Sequence, residues 1–125
     1  MERVRWEEHK GKKIFVADYS GLHAIKPEEK KEMLDAIKKA EDLSATLSVK
    51  TLFLTNAANA QADAEIMDAL KKFAAFTNKK QIVAKECVVG ISGIQKILLN
   101  AVNLFSGGKM RSFDTIELAK EWLAE

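Results

Sequence analysis

The chain has 125 residues, 47% hydrophobic and 30% charged, long enough to bury roughly two-thirds of its unfolded surface and too apolar for a disordered or fibrous class. Twenty basic and 18 acidic residues leave a net charge of only +2, and basic residues do not interleave with aromatic ones, so no nucleic-acid partner is expected. The lone Cys87 excludes an internal disulfide and a cysteine metal cluster, and without an apolar h-region or ~18 uninterrupted apolar residues a single cytoplasmic domain over 1–125 is expected.

Val4, Trp6 and Glu8 alternate before His9-Lys10-Gly11-Lys12, and Ile14 and Val16 alternate after it. This pattern predicts an antiparallel hairpin with one buried face. Pro27 suits a first helical turn, and Glu28 and Glu29 follow where the helix dipole favours negative charge. The predicted helix starts near Lys26, with Met33, Leu34, Ile37, Ala40 and Leu43 on one face and Lys30, Lys31, Lys38, Lys39 and Glu41 on the wet arc. The apolar run 49–54 predicts a buried strand, and Asn56 and Asn59 mark the loop after it.

From about Gln61, the residues Ala62, Ile66, Ala69, Leu70 and Phe73 predict a second helix that Asn78-Lys79-Lys80 ends. A strand over 81–89 runs into Gly90-Ile91-Ser92-Gly93 and a long helical pattern that Gly107-Gly108 stops. Asp114 reads as the N-cap of a last helix, with Glu117 completing a capping box and Phe113 with Leu118 at staple spacing. That helix carries Leu118, Ala119, Trp122 and Leu123. The order ββαβαβαβα, with helices of crossover length, implies an α/β fold: a mixed, mostly parallel five-stranded sheet with about four helices.

Four segments together resemble the SpoIIAA-like family, a branch of the STAS fold named for sulfate transporters and anti-sigma factor antagonists. They are IFVADYSGL at 14–22, TLFLTNAANA at 51–60, VVGISGIQKILLNAVNLFSG at 88–107 and FDTIELAKEWL at 113–123. The resemblance spans nearly the whole chain and implies a small mixed sheet flanked by helices. It also implies a test, because the anti-sigma factor antagonists carry a phosphorylatable serine in a DSSG-type motif after the third strand. Here that turn reads Leu54-Thr55-Asn56-Ala57-Ala58-Asn59-Ala60-Gln61, with no serine, so the phosphoswitch is not carried over. The similar-looking Asp18-Tyr19-Ser20-Gly21 lies one strand earlier.

Two turns are candidate binding sites. At 18–21, Ser20 at a strand end could accept a modification, while the simpler account is turn chemistry by Asp18, Ser20 and Gly21. At 90–93, free N–H groups at a helix start could hold an anion, while the simpler account is close packing at the glycines with Ser92 as cap. With Ile94 at zero on a helical wheel, Ile91, Ile97, Leu98, Ala101, Val102 and Phe105 fall within about 80° of it. Leu99 lies opposite and Leu104 at the margin. A dimer mate, an apolar small molecule under a mobile helix, or a membrane surface would cover them; isolated exposed leucines are the ordinary account.

His9 and His23 lack partners at metal spacing, Cys87 sits in an apolar strand, and no phosphate loop, nucleophile elbow or cofactor fingerprint is present. No metal, cofactor or catalytic residue is expected. The leading expectation is a non-enzymatic regulatory module that binds a protein or small molecule at the carboxyl end of the strands. There the turns holding Asp18, Ser20, Asn56, Asn59, Ser92 and Gly93 converge. The alternative is a carrier or sensor of an apolar ligand or membrane surface, acting through the third helix.

Overall fold

Lys10 and Gly11 take positive φ values of 51° and 78°, the pair of left-handed residues that closes a two-residue hairpin in step with strand twist. They join β1 (Val4–His9) to β2 (Lys12–Asp18) in an antiparallel ladder running from His9↔Lys12 to Val4↔Ala17. The computed structural model describes residues 2–90 and 110–125. The expected helix at 91–105, and with it Ser92, Gly93, Leu99 and Leu104, lies outside the described residues.

The hairpin corrects one expectation, that of a single buried face. Trp6 pairs with Phe15, and β2 is buried on both sides, with Phe15 and Ala17 in one apolar layer and Ile14 and Val16 in the other. A strand held between two neighbours and two layers has no wet face for alternation to mark.

Pro27 opens α1 (Pro27–Ser44), and Glu28 and Glu29 occupy its first turn. Met33, Ala36, Ile37 and Ala40 are buried as the helical period requires, while Leu43 sits at the rim. The third strand, β3 (Thr51–Asn56), starts two residues later than the apolar run: Val49 is exposed, and pairing begins where the Thr51 amide donates to the Ile82 carbonyl at 2.7 Å. Helix α2 (Ala64–Lys80) starts three residues after Gln61, because that stretch of backbone is already paired. The Gln61 amide donates to Leu22 O at 2.9 Å and its carbonyl accepts from Ala24 N at 2.8 Å. Asp63 then caps the helix, accepting from the Ile66 amide at 2.9 Å. Gln81 closes it in the left-handed conformation, so β4 spans Val83–Val89 and not 81–89.

β5 (Met110–Phe113) and α3 (Ile116–Ala124) complete the described chain. The sheet order is β1-β2-β3-β4-β5, antiparallel at the first pair and parallel at the other three. This is the mixed, mostly parallel five-stranded sheet expected, with three helices among the described residues. Phe15, Ala17 and Phe53 pack with α1 and α2 on one face of the sheet. On the other, Ile14, Val16, Leu54, Cys87 and Val89 pack with Ala119 and Leu123 of α3. None of the described helices is long and apolar enough to cross a membrane.

The start of α3 corrects a second expectation. The N-cap is Thr115 and not Asp114: Thr115 has extended backbone, and its hydroxyl accepts from the Leu118 amide at 3.2 Å. Leu118 is 55% exposed, so it does not staple to Phe113, whose ring packs on Trp122 at 5.6 Å. That aromatic contact fixes the helix rotation that turns Leu118 outward. Thr115→Ala is expected to cost about 1 kcal/mol in urea denaturation, and Asp114→Ala to stay within about 0.5 kcal/mol of the parent.

Candidate functional site

The loops at the carboxyl end of β2, β3 and β4 are stitched to one another by their backbones. Tyr19 N donates to Asn56 O at 2.8 Å, Gly21 N to Ala58 O at 2.9 Å, and Ala57 N to Val89 O at 2.8 Å. The structure thus brings together the turns holding Asp18, Ser20, Asn56 and Asn59, as expected from the strand order, while Ser92 and Gly93 lie outside the described residues. Several of their polar groups are engaged within the loops. Asn56 Oδ1 accepts from the Ala58 amide at 3.1 Å, and the Asn59 carbonyl accepts from His23 Nε2 at 3.0 Å.

Asp18 shows the same economy. Its Oδ1 accepts from the Ser20 amide at 2.9 Å and the Ser20 hydroxyl at 2.6 Å, and its carboxylate lies within 3.7 Å of Arg3 and 3.4 Å of Arg5. Burial works against the charge, but the Ser20 bonds and the Arg5 guanidinium outweigh it and hold the carboxyl below its ordinary value. With the folded value depressed, the stability this group confers is complete above the unfolded value near pH 4. It is lost as pH falls through the folded value. Asp18→Asn is therefore expected to cost about 2 kcal/mol at neutral pH. The gap to the parent narrows in denaturation curves as pH falls from the unfolded value through the lower folded one; a gap independent of pH contradicts the assignment.

Cys87 faces the α3 layer, where burial, with a smaller push from the Glu86 charge, raises its thiol to about 12, a value at which it is inert. His9 Nε2 lies 2.9 Å from Glu121 Oε1 at the surface. Glu7 is held by Lys120 at 2.5 Å and Arg5 at 2.7 Å. Among the described residues no group of three or more His, Cys, Asp or Glu is placed to hold a metal ion.

Beneath the stitched loops, on the α1 and α2 side of the sheet, is a cavity of about 90 Å³. Phe15, Ala17 and Tyr19 of the β2 segment and Phe53 and Thr55 of β3 form its sheet wall. Leu70, Phe73 and Ala74 of α2 form the opposite wall, and Met33 and Met67 reach in from the helices. Ala57, Ala60 and Ala62 line it from the loop between β3 and α2. This loop presents three methyl groups to the space. In the sequence these residues are indistinguishable from ordinary core by period. The run of alanines at 57, 58, 60 and 62 is the one local sign that something is unfilled.

Tyr19, to which the sequence reading assigned no role, lines the cavity. It is 3% exposed, and its hydroxyl has no hydrogen-bond partner among the described residues. Burial first, and the charge of Glu41 second, push its ionisation above the ordinary tyrosine range, so the group is an O–H donor.

No family model and no curated protein matches the chain. Among solved structures it is similar to an uncharacterized protein of the DUF3478 family with a SpoIIAA-like fold from Shewanella loihica PV-4. The TM-score is 0.61 at 16% sequence identity, over 96% of this chain and 91% of that one. The chain has the SpoIIAA-like fold, as the resemblance of its four segments implied.

Proposed function

We propose that the chain is a non-enzymatic regulatory binding module that takes one end of an apolar small molecule into the cavity between α2 and the sheet. The observation that carries this reading is the cavity itself: about 90 Å³ of space walled almost wholly by carbon, directly under the carboxyl-end loops. Protein interiors are close-packed, and an unfilled apolar space forfeits dispersion contacts that a ligand restores. An engineered apolar cavity of about 150 Å³ takes a benzene ring, so a space of about 90 Å³ takes a smaller ring or the end of a longer ligand.

The lining supports binding over catalysis: Glu86 is the acidic residue among the described lining residues, no cysteine or histidine is among them, and the Thr77 hydroxyl is turned to the Ala74 carbonyl at 3.0 Å. The polar turn residues Asp18, Ser20 and Asn56 support the cavity roof instead of offering free groups to a partner. Occupancy would be felt in that roof, because Ala57 and Ala60 belong both to the cavity wall and to the stitched loops.

Xenon occupies apolar cavities of this kind and serves as the probe. Under xenon pressure the methyl resonances of Ala57, Ala60 and Met67 are expected to shift, and Ala74→Leu, which fills the space, is expected to suppress the shift. Organic extraction of protein purified from its own cells, followed by mass spectrometry, is expected to release an apolar molecule that the Ala74→Leu variant retains poorly. If xenon leaves those methyl groups unmoved and nothing apolar is extracted, the reading fails.

A further inference from the structure

We infer that the groove at the amino end of the parallel strands is a docking surface for an acidic segment of another protein, an extended stretch with apolar side chains between its carboxylates. This surface lies at the opposite end of the strands from the cavity and needs no ligand there. The groove measures about 500 Å³, within the roughly 300–1,000 Å³ of ligand-sized clefts. The first residues of β2 and β3 line it, together with Trp6, Leu47, Val49 and Leu123. Trp6 is 46% exposed and Val49 66%, so both keep apolar area in water that packing among the described residues leaves uncovered.

Charge selects the partner. Lys12, Lys13, Lys50 and Lys85 line the groove against one carboxylate, Glu125. Elsewhere on the surface Lys10, Lys30, Lys31 and Lys120 each meet a carboxylate at 2.5–2.9 Å. Among the described residues no carboxylate lies within ion-pair reach of Lys12, Lys13 or Lys50. The Lys85 ammonium already donates to the Trp122 carbonyl at 2.9 Å and the Glu125 carbonyl at 3.2 Å. Ile14 pairs with Leu52, so Lys12 and Lys50, each two residues earlier, enter neighbouring strands at the same level, about 4.8 Å apart. Like charges so placed repel, and an acidic partner relieves the repulsion.

Successive strand residues point to opposite faces, so Lys12 and Lys13 spread their charge along the groove rather than gather it at a point. That distribution suits carboxylates on successive residues of an extended chain better than one small anion. A flat anionic membrane would leave a concave surface unfilled. A single-stranded nucleic acid stacks successive bases on several rings, whereas Trp6 is the aromatic residue among the described lining residues.

The probe is a short blocked peptide of alternating glutamate and leucine, titrated into the intact chain and followed by the Trp6 indole N–H and the Val49 methyl resonances. Both are expected to shift saturably, while the Met67 methyl group in the cavity stays in place. Replacing the glutamates by glutamine is expected to weaken binding about tenfold, and Val49→Ser to weaken it about threefold. Lys12→Glu combined with Lys13→Glu and Lys50→Glu is expected to abolish the response to the glutamate peptide and to confer binding of its lysine and leucine counterpart, a gain that an unfolded variant would not show. If the glutamine peptide binds as tightly as the glutamate one, or the charge-reversed variant keeps the glutamate peptide, the proposal falls. If Trp6 and Val49 respond to phosphatidylglycerol vesicles or to oligothymidylate and not to the peptide, the occupant is a membrane or a nucleic acid, and the acidic segment is wrong. Silence toward all of these probes overturns docking at this groove. Ala74→Leu, which fills the cavity, is expected to bind the peptide like the parent, so the groove and the cavity stand or fall separately.

Discussion

Phe15→Ala is expected to lower the unfolding free energy by about 3–5 kcal/mol, or the melting temperature by about 10–20 °C in a chain of this size. Phe15 is 1% exposed and holds three strands in one layer. It meets Trp6 of β1 edge-on at 5.2 Å and Phe53 of β3 at 5.4 Å, contacts that add to its area burial. Because it also lines the cavity, the void left by truncation merges with space already present, and the neighbours have less to collapse onto. Guanidinium denaturation followed by tryptophan fluorescence measures this, with Trp6 next to the substitution and Trp122 on the opposite face of the sheet. A loss below about 1.5 kcal/mol would place Phe15 outside the cooperative core. Trp6→Ala removes the larger ring from a site that is 46% exposed and is expected to cost less.

Gly90→Ala is expected to cost about 3 kcal/mol or more, through a positive φ and a backbone collision together. Gly90 has φ +79°, and a Cβ built there falls 2.5 Å from Ala58 Cα and 2.9 Å from Ala58 N. Ala58 cannot move aside cheaply, since its amide is held by Asn56 Oδ1 and its carbonyl by Gly21 N. Gly11 provides the control. Its φ of +78° is nearly the same, but a Cβ there meets nothing within 4 Å, so Gly11→Ala is expected to cost only about 1 kcal/mol. Equal losses at the two positions in paired thermal melts would show that conformation, and not the close approach of the β3 and β4 loops, makes Gly90 necessary. Since Ala57 and Ala60 flank Ala58, the Gly90 variant is also expected to disturb xenon binding in the cavity.

The elements legible in the sequence were those whose signals are local. The Lys10-Gly11 turn, Pro27 at the start of α1 and the Met33, Ile37, Ala40 stripe each act within a few residues, and each is found where its chemistry placed it. Boundaries moved where a competing interaction reached in from elsewhere. Gln61 was lost to α2 because its backbone pairs with the segment after β2, and Asp114 gave up the cap to Thr115 because Phe113 is turned onto Trp122. Neither competitor leaves a mark in the segment it changes.

Asp18, Ser20, Asn56 and Asn59 were singled out as turn residues at the carboxyl end of the strands, and the structure does bring their turns together. What they do there was not legible, because Asp18 next to Ser20 reads the same whether the pair faces a ligand or closes a turn. Only the distances, 2.6 and 2.9 Å from Ser20 to Asp18, show the turn.

By itself the sequence determined the order and kind of the described elements, the parallel crossovers and hence the SpoIIAA-like sheet, since period, caps and crossover length are properties of contiguous residues. Tertiary structure alone decided that β2 is buried on both faces, that three loops lock over one end of the sheet, and that beneath them a space lined by Ala57, Ala60 and Ala62 is left. A void belongs to the gap between segments that meet only in the fold. No pattern within one segment records how far its neighbours stop short of it.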